Sequence, residues 1–469
     1  MQLTHTAKLS FALTGSAGGV INNGIAFFLL LYYSQVLGLD PALAGLALAI
    51  ALVFDAVSDP LVGQWSDRLR SRWGRRHPFL FAAIIPSALF YYFLWVPPEL
   101  SQQHLFLYML VMTIALRLSL TLYSVPFNAL LPELAPDYDQ RTSLLNYSYS
   151  SGWFVGTLMS VAMYVYWLAD TPEYPDGAGI LRAEGYVEAG LFGAIIVFFC
   201  FAYAAHATRA YIPKLAAAPP SASVRQVLDE VMFTLRDRNI FAMLISGLFN
   251  AAALGTSSAL WAYMQSYFWG FNSEQISMLL AAQLLSAVIA FAIMPILTSG
   301  RDKKPVLVIS SCLAIVVNTG PVFLSLLGWF PPTGHEALFP TMLIIGVIQV
   351  TLSVITGVLV ASMIADIVEA REIETGRREE GLLFSVQSFI GKVAGGVGIW
   401  AGGVMLALIE FPTETAATAV EQIVITRLGW LYGPALTVFY ILSIIALLYY
   451  QLDRRAHEQH LRALGKVDS

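Results

Sequence analysis

The sequence predicts an all-α membrane protein with twelve transmembrane helices in two six-helix pseudo-repeats. The 469 residues are 57% hydrophobic and only 12% charged, whereas a soluble domain carries roughly twice that charged fraction. Apolar runs long enough to cross a bilayer recur along the chain. Basic and non-basic connectors alternate between these runs, which is typical of a chain that crosses a membrane repeatedly.

A bilayer-crossing helix needs about 20 mainly apolar residues, and twelve runs of that kind are present. The first six are Phe11–Leu37, Pro41–Gln64, Phe79–Val96, Leu105–Leu131, Thr142–Leu168 and Tyr186–His206. The second six are Asn239–Trp269, Glu274–Thr298, Pro305–Trp329, Ala337–Asp366, Gly381–Phe411 and Leu428–Leu452. The first run is too long for the core of a signal peptide, so it is predicted to be a span.

The connectors predict the orientation of the chain. Basic residues are concentrated in "RLRSRWGRR" (68–76), "RDKK" (301–304) and "REIETGRREE" (371–380), whereas "PPELSQQH" (97–104) and "PPTGHE" (331–336) hold no lysine or arginine. Short loops rich in Lys and Arg stay in the cytoplasm. Both termini are therefore predicted to be cytoplasmic, in a multi-pass protein of the cell (inner) membrane.

The chain divides into two halves. We predict an N-terminal six-helix bundle (1–208), a cytoplasmic linker with an amphipathic helix (209–238), a C-terminal six-helix bundle (239–455) and a cytoplasmic tail (456–469). Charged connectors recur at equivalent places, between spans 2 and 3 and spans 8 and 9, and again between spans 4 and 5 and spans 10 and 11. This echo indicates two parallel repeats, the plan of the major facilitator fold.

Two acidic residues lie inside the second apolar run. Asp55 and Asp59 are one helical turn apart and project from the same face. A charge at the centre of a span costs about 2.5–3.5 kcal/mol, and each carboxylate disfavours the ionised form of the other. The pair is tolerable if a cation binds between the carboxylates or one of them holds a proton, with Ser58 as a further oxygen ligand. The alternative is a structural pairing with arginines.

Two positive charges also fall inside predicted spans, Arg117 in the fourth and Lys392 in the eleventh. An intramembrane cation needs a partner or a water-filled cavity. The expected partners of Lys392 are Asp55 and Asp59, reached across the two halves. For Arg117, a local structural pair or snorkelling to the interface is as good an interpretation as a role in the cavity.

Other polar or aromatic residues within the spans would line such a cavity, although each alone more often joins helices or belongs to an interfacial belt. The predicted substrate-binding residues are Asn22, Asn23, Ser124, Asn128, Tyr149, Trp261, Gln387, Ser388 and Lys392. The predicted gating residues are Arg141, Asp366 and Arg377. The arginine-rich connector is expected to pair with cytoplasmic acids such as Glu133, Asp366 or Glu380 and so close an inner gate.

Several classes of protein are disfavoured. The net charge of −5 offers no basic surface for nucleic acid. The seven histidines lie at span ends, loops or tails without metal-ligand spacing, and no nucleophile or phosphate-binding motif is present. We therefore predict a protein that is not an enzyme, with no cofactor and no metal beyond a coupling Na⁺. A non-transporting membrane receptor is the alternative from a different class.

Three long segments resemble a known family: "DAVSDPLVGQWSDRLRSRWGRRHPF" (55–79), "VPFNALLPELAPDYDQRTSL" (125–144) and "ADIVEAREIETGRREEGLLFSVQSFIGK" (365–392). They resemble the signatures of the glycoside–pentoside–hexuronide:cation symporters, the melibiose-permease-like carriers of the major facilitator superfamily. The resemblance covers spans 1 to 5 and spans 10 to 11. It implies a major facilitator fold and solute transport driven by Na⁺, Li⁺ or H⁺.

The resemblance also implies a cation site. It places the coupling ion at Asp55 and Asp59, assisted by Ser58 and Thr121, and it places Lys392 close to both the ion and the solute. Ser58 stands where melibiose-type carriers have an asparagine, which makes protons more plausible than in those relatives.

The implied solute site departs from the melibiose-type pattern. Two aspartates that grip sugar hydroxyls in those carriers correspond to Gly19 and Ser124, a tryptophan corresponds to Asn128, and an arginine corresponds to Tyr149. A galactoside is therefore a poor candidate substrate, and an anionic or less polar solute fits better.

Taken together, the sequence predicts a secondary active symporter that couples inward Na⁺ or H⁺ flow to the uptake of a glycoside, hexuronide or related small solute by alternating access. Its predicted partners are the lipid bilayer and that solute, and it is predicted to act as a monomer. A cation-coupled lysophospholipid transporter of the same fold is the alternative.

Overall fold

The computed structural model describes residues 4–135, 137–175, 177–214, 237–299, 301–375 and 380–451. Regular structure within these ranges is helical throughout. Its long helices in the first half are α1 His5–Asn23, α2 Pro41–Arg68, α3 His77–Leu94, α4 Gln102–Asn128, α5 Tyr138–Ala162 and α6 Ala183–Thr208. Those of the second half are α7 Arg238–Tyr263, α8 Ser273–Thr298, α9 Lys303–Leu326, α10 Leu338–Thr375, α11 Glu380–Leu408 and α12 Gln422–Leu448.

The twelve predicted spans coincide with these twelve helices, which confirms the predicted fold class. By length and composition, 11 helices in the described ranges are able to cross a membrane. The remaining predicted span corresponds to α5, which has 25 residues and continues as a π-helix, Met163–Trp167. Its first half is rich in polar residues, among them Asn146, Ser148 and Ser151, so composition alone does not mark it as apolar.

The described residues form two compact units. Unit 1 consists of the described chain up to residue 214 together with Ser258–Ala281 and Ile399–Val424, and unit 2 consists of the remaining described residues. In unit 1, α1 packs on α5 and α6, while α4 packs on α2 and α3. In unit 2, α9 packs on α10. The amphipathic part of the predicted linker (223–236) and the predicted tail (456–469) lie outside the described residues.

Glycines allow very close helix contacts in both halves. A Cβ atom added at Gly19 of α1 would lie 1.9 Å from the main-chain oxygen of Gly152 in α5. In unit 2, a Cβ atom at Gly398 of α11 would lie 2.1 Å from the main-chain oxygen of Ala252 in α7. Such backbone contact through small residues is the usual way in which membrane helices associate tightly. Spans 1 and 5 and spans 7 and 11 therefore share one mode of packing.

The two halves also share a turn that the sequence analysis missed. The π-helices Tyr32–Val36 and Met264–Phe268 follow α1 and α7 at the same offset of 232 residues. Each leads to a glycine in the left-handed region, Gly38 at φ 69° and Gly270 at φ 68°. The next helix, α2 or α8, then begins three residues later. This shared turn supports the predicted repeat with a structural feature independent of the connectors.

Candidate functional site

The candidate cation site lies where two turns of α2 face two turns of α4. Asp55 and Asp59 are four residues apart on α2, and Arg117 and Thr121 are four residues apart on α4. Residues at that spacing share one face of a helix, and α2 packs directly on α4. The carboxylates, the guanidinium and the hydroxyl group therefore meet near the middle of both helices, far from the helix ends.

Thr121 bridges the two acids. Its Oγ1 atom lies 2.9 Å from Oδ1 of Asp55 and 3.0 Å from Oδ1 of Asp59. The hydroxyl of Ser58 donates to the main-chain oxygen of Asp55 over 3.1 Å and lies 3.4 Å from Oγ1 of Thr121. Asp55, Ser58 and Thr121 are buried, whereas Asp59 is half-buried. The four residues predicted for cation binding thus lie together, and Asp59 is the most accessible of them.

The geometry around Thr121 is compatible with one further positive charge. A threonine hydroxyl carries a single proton, which can lie on only one of the two short oxygen–oxygen lines. The second short contact is favourable if the other carboxyl group is protonated and donates to Oγ1, or if a cation draws the oxygens together. The arrangement is therefore suited to a proton or to a small cation that prefers oxygen ligands.

Arg117 is the charged neighbour of this group. Its Nη1 atom lies 3.8 Å from Oδ2 of Asp55, and only 13% of its side chain is exposed. The contact is longer than a hydrogen bond, and the buried Nε atom has no hydrogen-bond partner among the described residues. The sequence supported a structural and a functional role for Arg117 equally. Its spacing of four residues from Thr121 could have indicated that both side chains share one face of α4.

The predicted substrate residues of unit 1 occupy different environments. Nδ2 of Asn23 donates to Oγ of Ser160 over 3.4 Å, so it joins α1 to α5. The ring of Trp261 lies edge-on to Phe27, with 5.4 Å between centroids. Asn22 and Asn128 are exposed, Ser124 is half-buried, and 73% of the surface of Tyr149 is accessible. Asn23 therefore holds two helices together, and the contact of the accessible residues with a solute stays a prediction.

Gly19, the position matched to a sugar-binding aspartate, has no room for a side chain. The main-chain oxygen of Gly152 already occupies the space that its Cβ atom would need. The solute-binding carboxylate of melibiose-type carriers therefore has no equivalent at this point of α1.

The remaining predicted substrate residues belong to unit 2. Gln387 lines a small apolar cavity together with residues of α7 and α10, among them Met243 and Ile364. Ser388 is exposed and Lys392 is half-buried on the same helix, α11. The pairing of Lys392 with the acids of α2 stays a prediction.

Charged residues at the ends of the helices pair within each half. Nη1 of Arg76 lies 2.8 Å from Oε1 of Glu133, and Arg75 also contacts this carboxylate. Burial lowers the pKa of Arg76 from its ordinary value, an effect that Glu133 opposes. In unit 2, Nζ of Lys303 donates to both carboxylate oxygens of Asp366 over 2.7 Å. In the first half, the connector between spans 2 and 3 thus binds the connector between spans 4 and 5. In the second half, the connector between spans 8 and 9 binds the connector between spans 10 and 11 in the same way.

These pairs define where the predicted gating residues lie. Asp366 is bound to Lys303, and Nε of Arg141 donates to the main-chain oxygen of Ala135 over 2.8 Å. Arg377 lies outside the described residues. The expected pairing of the arginine-rich connector with Glu133 is present, and it links spans of one half.

Comparison with known proteins identifies the family. A family model described as MFS/sugar transport protein matches residues 10–454. The chain belongs to this family of transporters. An uncharacterized symporter from Synechocystis sp. is 24% identical over 97% of this chain and 96% of its own length. The isoprimeverose transporter of Lactiplantibacillus pentosus is 24% identical over 95% of this chain and 88% of its own length.

Two further proteins extend the comparison. The glucuronide carrier protein homolog of Escherichia coli is 25% identical over 82% of this chain and 80% of its own length. Among solved structures, the xylose transporter from E. coli in an inward open conformation covers 98% of both chains with a TM-score of 0.60 and 14% identity. That likeness confirms the major facilitator fold of this transporter.

Within unit 1, several contacts join the helix ends opposite the arginine-rich connector (68–76), and we call them the distal layer. The side chain of Gln35 donates to the main-chain oxygen of Pro412 over 3.1 Å and accepts from the hydroxyl of Tyr267 over 3.3 Å. The main-chain N–H of Glu414 donates to the main-chain oxygen of Gln35 over 3.1 Å. Gln35 is fully buried.

Three more contacts complete the distal layer. The hydroxyl groups of Ser34 and Tyr263 are hydrogen-bonded. Oγ of Ser273 donates to the main-chain oxygen of Leu168 over 2.6 Å, and a Cβ atom at Gly403 would lie 2.2 Å from the main-chain oxygen of Pro41. Spans of the first half thus contact the distal ends of spans 7, 8 and 11.

Proposed function

We propose that this transporter couples the inward flow of Na⁺ or H⁺ to the uptake of a glycoside, hexuronide or related small solute by alternating access. The observation that carries the proposal is the hydroxyl of Thr121 between the carboxylates of Asp55 and Asp59, 2.9 and 3.0 Å away. Two acids at this depth are costly in a membrane unless they serve a purpose. Neutralisation by the coupling ion is that purpose.

The energy available to such a site is substantial. Each elementary charge that crosses a potential of 100 mV releases about 2.3 kcal/mol. Since 1.4 kcal/mol corresponds to a factor of ten, one charge per solute supports roughly 50-fold accumulation. Asp59 is the half-buried member of the pair, so we propose that it exchanges the ion with water while Asp55 anchors it.

Two observations support this class of solute: the names of two relatives, and the lack of an acid at the positions that match the sugar-binding aspartates of melibiose-type carriers. One relative is named for isoprimeverose and another for glucuronide. Ser124 and Gly19 offer no carboxylate to a neutral sugar, and Lys392 supplies a positive charge on α11. An anionic glycoside such as a glucuronide suits these side chains, because Lys392 attracts it and the two matched positions carry no acid that would repel it.

We further propose that the basic connectors face the cytoplasm, since Lys and Arg in short loops remain there. The distal layer is then the extracellular gate. Transport requires the bundles 1–208 and 239–455 to rock against each other, and the distal layer separates during that motion. Both bundles keep their internal ion pairs during that motion.

The test uses purified protein in detergent and in vesicles. Binding of an ion or solute to the folded state raises thermal stability by mass action, so we expect NaCl, LiCl or acidic pH to stabilise the protein relative to choline chloride at neutral pH. A panel of methyl glucuronide, isoprimeverose and lysophosphatidylcholine then identifies the solute class. Asp59→Asn should abolish the response to the ion.

Transport separates coupling from binding. In vesicles, Asp59→Asn should lose accumulation driven by the ion gradient while retaining exchange of labelled for unlabelled solute. Asp137→Asn is the matched control, because Asp137 is exposed just before α5 and its side chain makes no capping hydrogen bond. Accumulation that survives in Asp59→Asn at the level of this control would refute the coupling role.

A further inference from the structure

The cation site already contains a positive charge. Arg117 is mostly buried, and its Nη1 atom lies 3.8 Å from Oδ2 of Asp55. Oδ1 of the same carboxylate accepts from Thr121 over 2.9 Å. The two oxygens of Asp55 therefore face different groups, the guanidinium on one side and the shared hydroxyl on the other.

The distance shows what kind of contact this is. A bidentate arginine–carboxylate pair has N–O distances of about 2.7–2.9 Å, so Arg117 does not clamp Asp55. Its buried Nε atom has no hydrogen-bond partner among the described residues. The guanidinium therefore acts on Asp55 through its charge, which falls off slowly with distance inside a membrane protein.

The presence of Arg117 changes the net charge next to Thr121. With both acids ionised, Asp55, Asp59 and Arg117 together carry a charge of −1, and without Arg117 they would carry −2. One monovalent ion thus neutralises these three side chains of unit 1. A mobile cation that enters next to Thr121 meets the repulsion of the guanidinium as well as the attraction of the two carboxylates.

We infer that Arg117 is a resident counter-ion of the cation site, which neutralises Asp55 when no coupling ion is bound and weakens the binding of alkali cations. This inference deepens the proposed function and rests on it. Arg117 is a specificity-determining residue in this role, because its charge competes with the transported ion for the same carboxylate.

A second consequence concerns the carrier without its ion. After releasing ion and solute, an alternating-access symporter must switch back to its outward-open state without either of them. Two unneutralised acids inside the bundle would oppose that return, because buried charges need partners. Arg117 supplies a positive charge next to Asp55, so net uptake depends on it, whereas solute exchange with the ion bound throughout does not.

The test compares Arg117→Met, Arg117→Lys and Arg72→Met with the unaltered protein. Arg117→Met removes the charge and keeps the length of the side chain, and Arg117→Lys restores the charge. Arg72→Met removes the same charge from the exposed connector, where Arg72 lies over the ring of Trp73. The Na⁺ concentration that gives half of the maximal thermal stabilisation is measured for each protein.

We expect Arg117→Met to bind Na⁺ about tenfold more tightly, equivalent to about 1.4 kcal/mol, or to gain a response to Na⁺ that the unaltered protein lacks. Arg117→Lys and Arg72→Met should match the unaltered protein. In vesicles, Arg117→Met should retain solute exchange in saturating NaCl and lose most net uptake. Unchanged or weaker Na⁺ binding by folded Arg117→Met, or equal loss of exchange and net uptake, would overturn the inference.

A double variant covers the case in which Arg117→Met does not fold. Asp55→Asn combined with Arg117→Met removes both charges of the pair and leaves the net charge of the cluster unchanged. If Arg117 serves to neutralise Asp55, this double variant folds; if it also fails to fold, the inference is wrong. The proposed function fails separately, when neither ions nor pH affect the unaltered protein and Asp59→Asn behaves like Asp137→Asn.

Discussion

At the scale of single residues, the two hydroxyl groups of the cation site are not equivalent. Thr121 reaches both carboxylates, whereas the hydroxyl of Ser58 donates to a main-chain oxygen of its own helix. A hydrogen bond to a charged group contributes about 1.5–3 kcal/mol, roughly twice the contribution of a neutral one. The family resemblance implies both residues as ion ligands, but in the structure Thr121 alone of the two contacts both carboxylates directly.

This difference predicts the effect of removing each hydroxyl group. Thr121→Val keeps the shape of the side chain and should weaken ion binding at least about tenfold, because a carboxylate contact of about 1.5 kcal/mol or more is lost. Ser58→Ala should change the affinity for the ion by about threefold or less. The measurement is the ion concentration for half-maximal thermal stabilisation, and Thr121→Ser should restore binding. Equal effects of Thr121→Val and Ser58→Ala would contradict the assignment.

At the scale of helices, span positions were predictable and the contacts between them were not. The predicted Glu274–Thr298 and the observed α8, Ser273–Thr298, differ by one residue, because the bilayer fixes the length of an apolar run. The convergence of Asp55 with Asp59 on one face followed from helical periodicity. The proximity of Arg117 depends instead on the register of α4 against α2, which no spacing within one helix determines.

The π-helical turns and the glycine contacts could not be predicted from the sequence either. Tyr32–Val36 reads as an ordinary apolar stretch, and its five-residue turn depends on contacts that residues distant in sequence provide. Gly18 and Gly19 are adjacent and identical in sequence. Only the packed structure distinguishes them, since Gly19 touches Gly152 and no atom of another helix lies within 4 Å of a Cβ atom at Gly18.

That contrast predicts opposite outcomes for two alanine substitutions. Gly19→Ala should destabilise the protein by about 1–3 kcal/mol, because overpacking forces the backbones of α1 and α5 apart. Gly18→Ala should be neutral or stabilising, since alanine favours a helix over glycine by up to about 1 kcal/mol. Melting temperatures of the two variants in detergent provide the comparison. A Gly19→Ala protein as stable as Gly18→Ala would show that this helix contact is not close.

At the scale of the whole molecule, the internal repeat places equivalent residues in contact. Gln35 and Tyr267 occupy matching positions of the shared π-helical turn, 232 residues apart, and they are hydrogen-bonded to each other. Both belong to the distal layer, and both are buried. π-Helices are often found at functional sites in membrane and soluble proteins. Here they bring two polar side chains to the point where the repeats meet at the distal end.

Two residues with a strained backbone lie beside the contact between Gln35 and Tyr267. Glu410 and Glu414 both have a positive φ, 53° and 54°, a conformation that costs a non-glycine residue roughly 1–3 kcal/mol. The N–H of Glu414 donates to the main-chain oxygen of Gln35. The hydrogen bonds of Gln35 to Pro412 and Glu414 therefore help to hold this loop in its strained conformation.

Gln35→Ala should therefore loosen the distal layer and leave the helices intact. The substitution removes the hydrogen bonds to Pro412 and Tyr267, each of which contributes about 0.5–1.5 kcal/mol, so amide exchange with deuterium in residues 409–416 should accelerate about tenfold. Gln102→Ala is the matched control at the same end of the molecule. The side chain of Gln102 bonds to Gly38 and Asp40, so its loss should accelerate exchange near residue 40 and spare 409–416. If Gln35→Ala leaves exchange in 409–416 as slow as Gln102→Ala does, then the side chain of Gln35 does not hold the distal layer together.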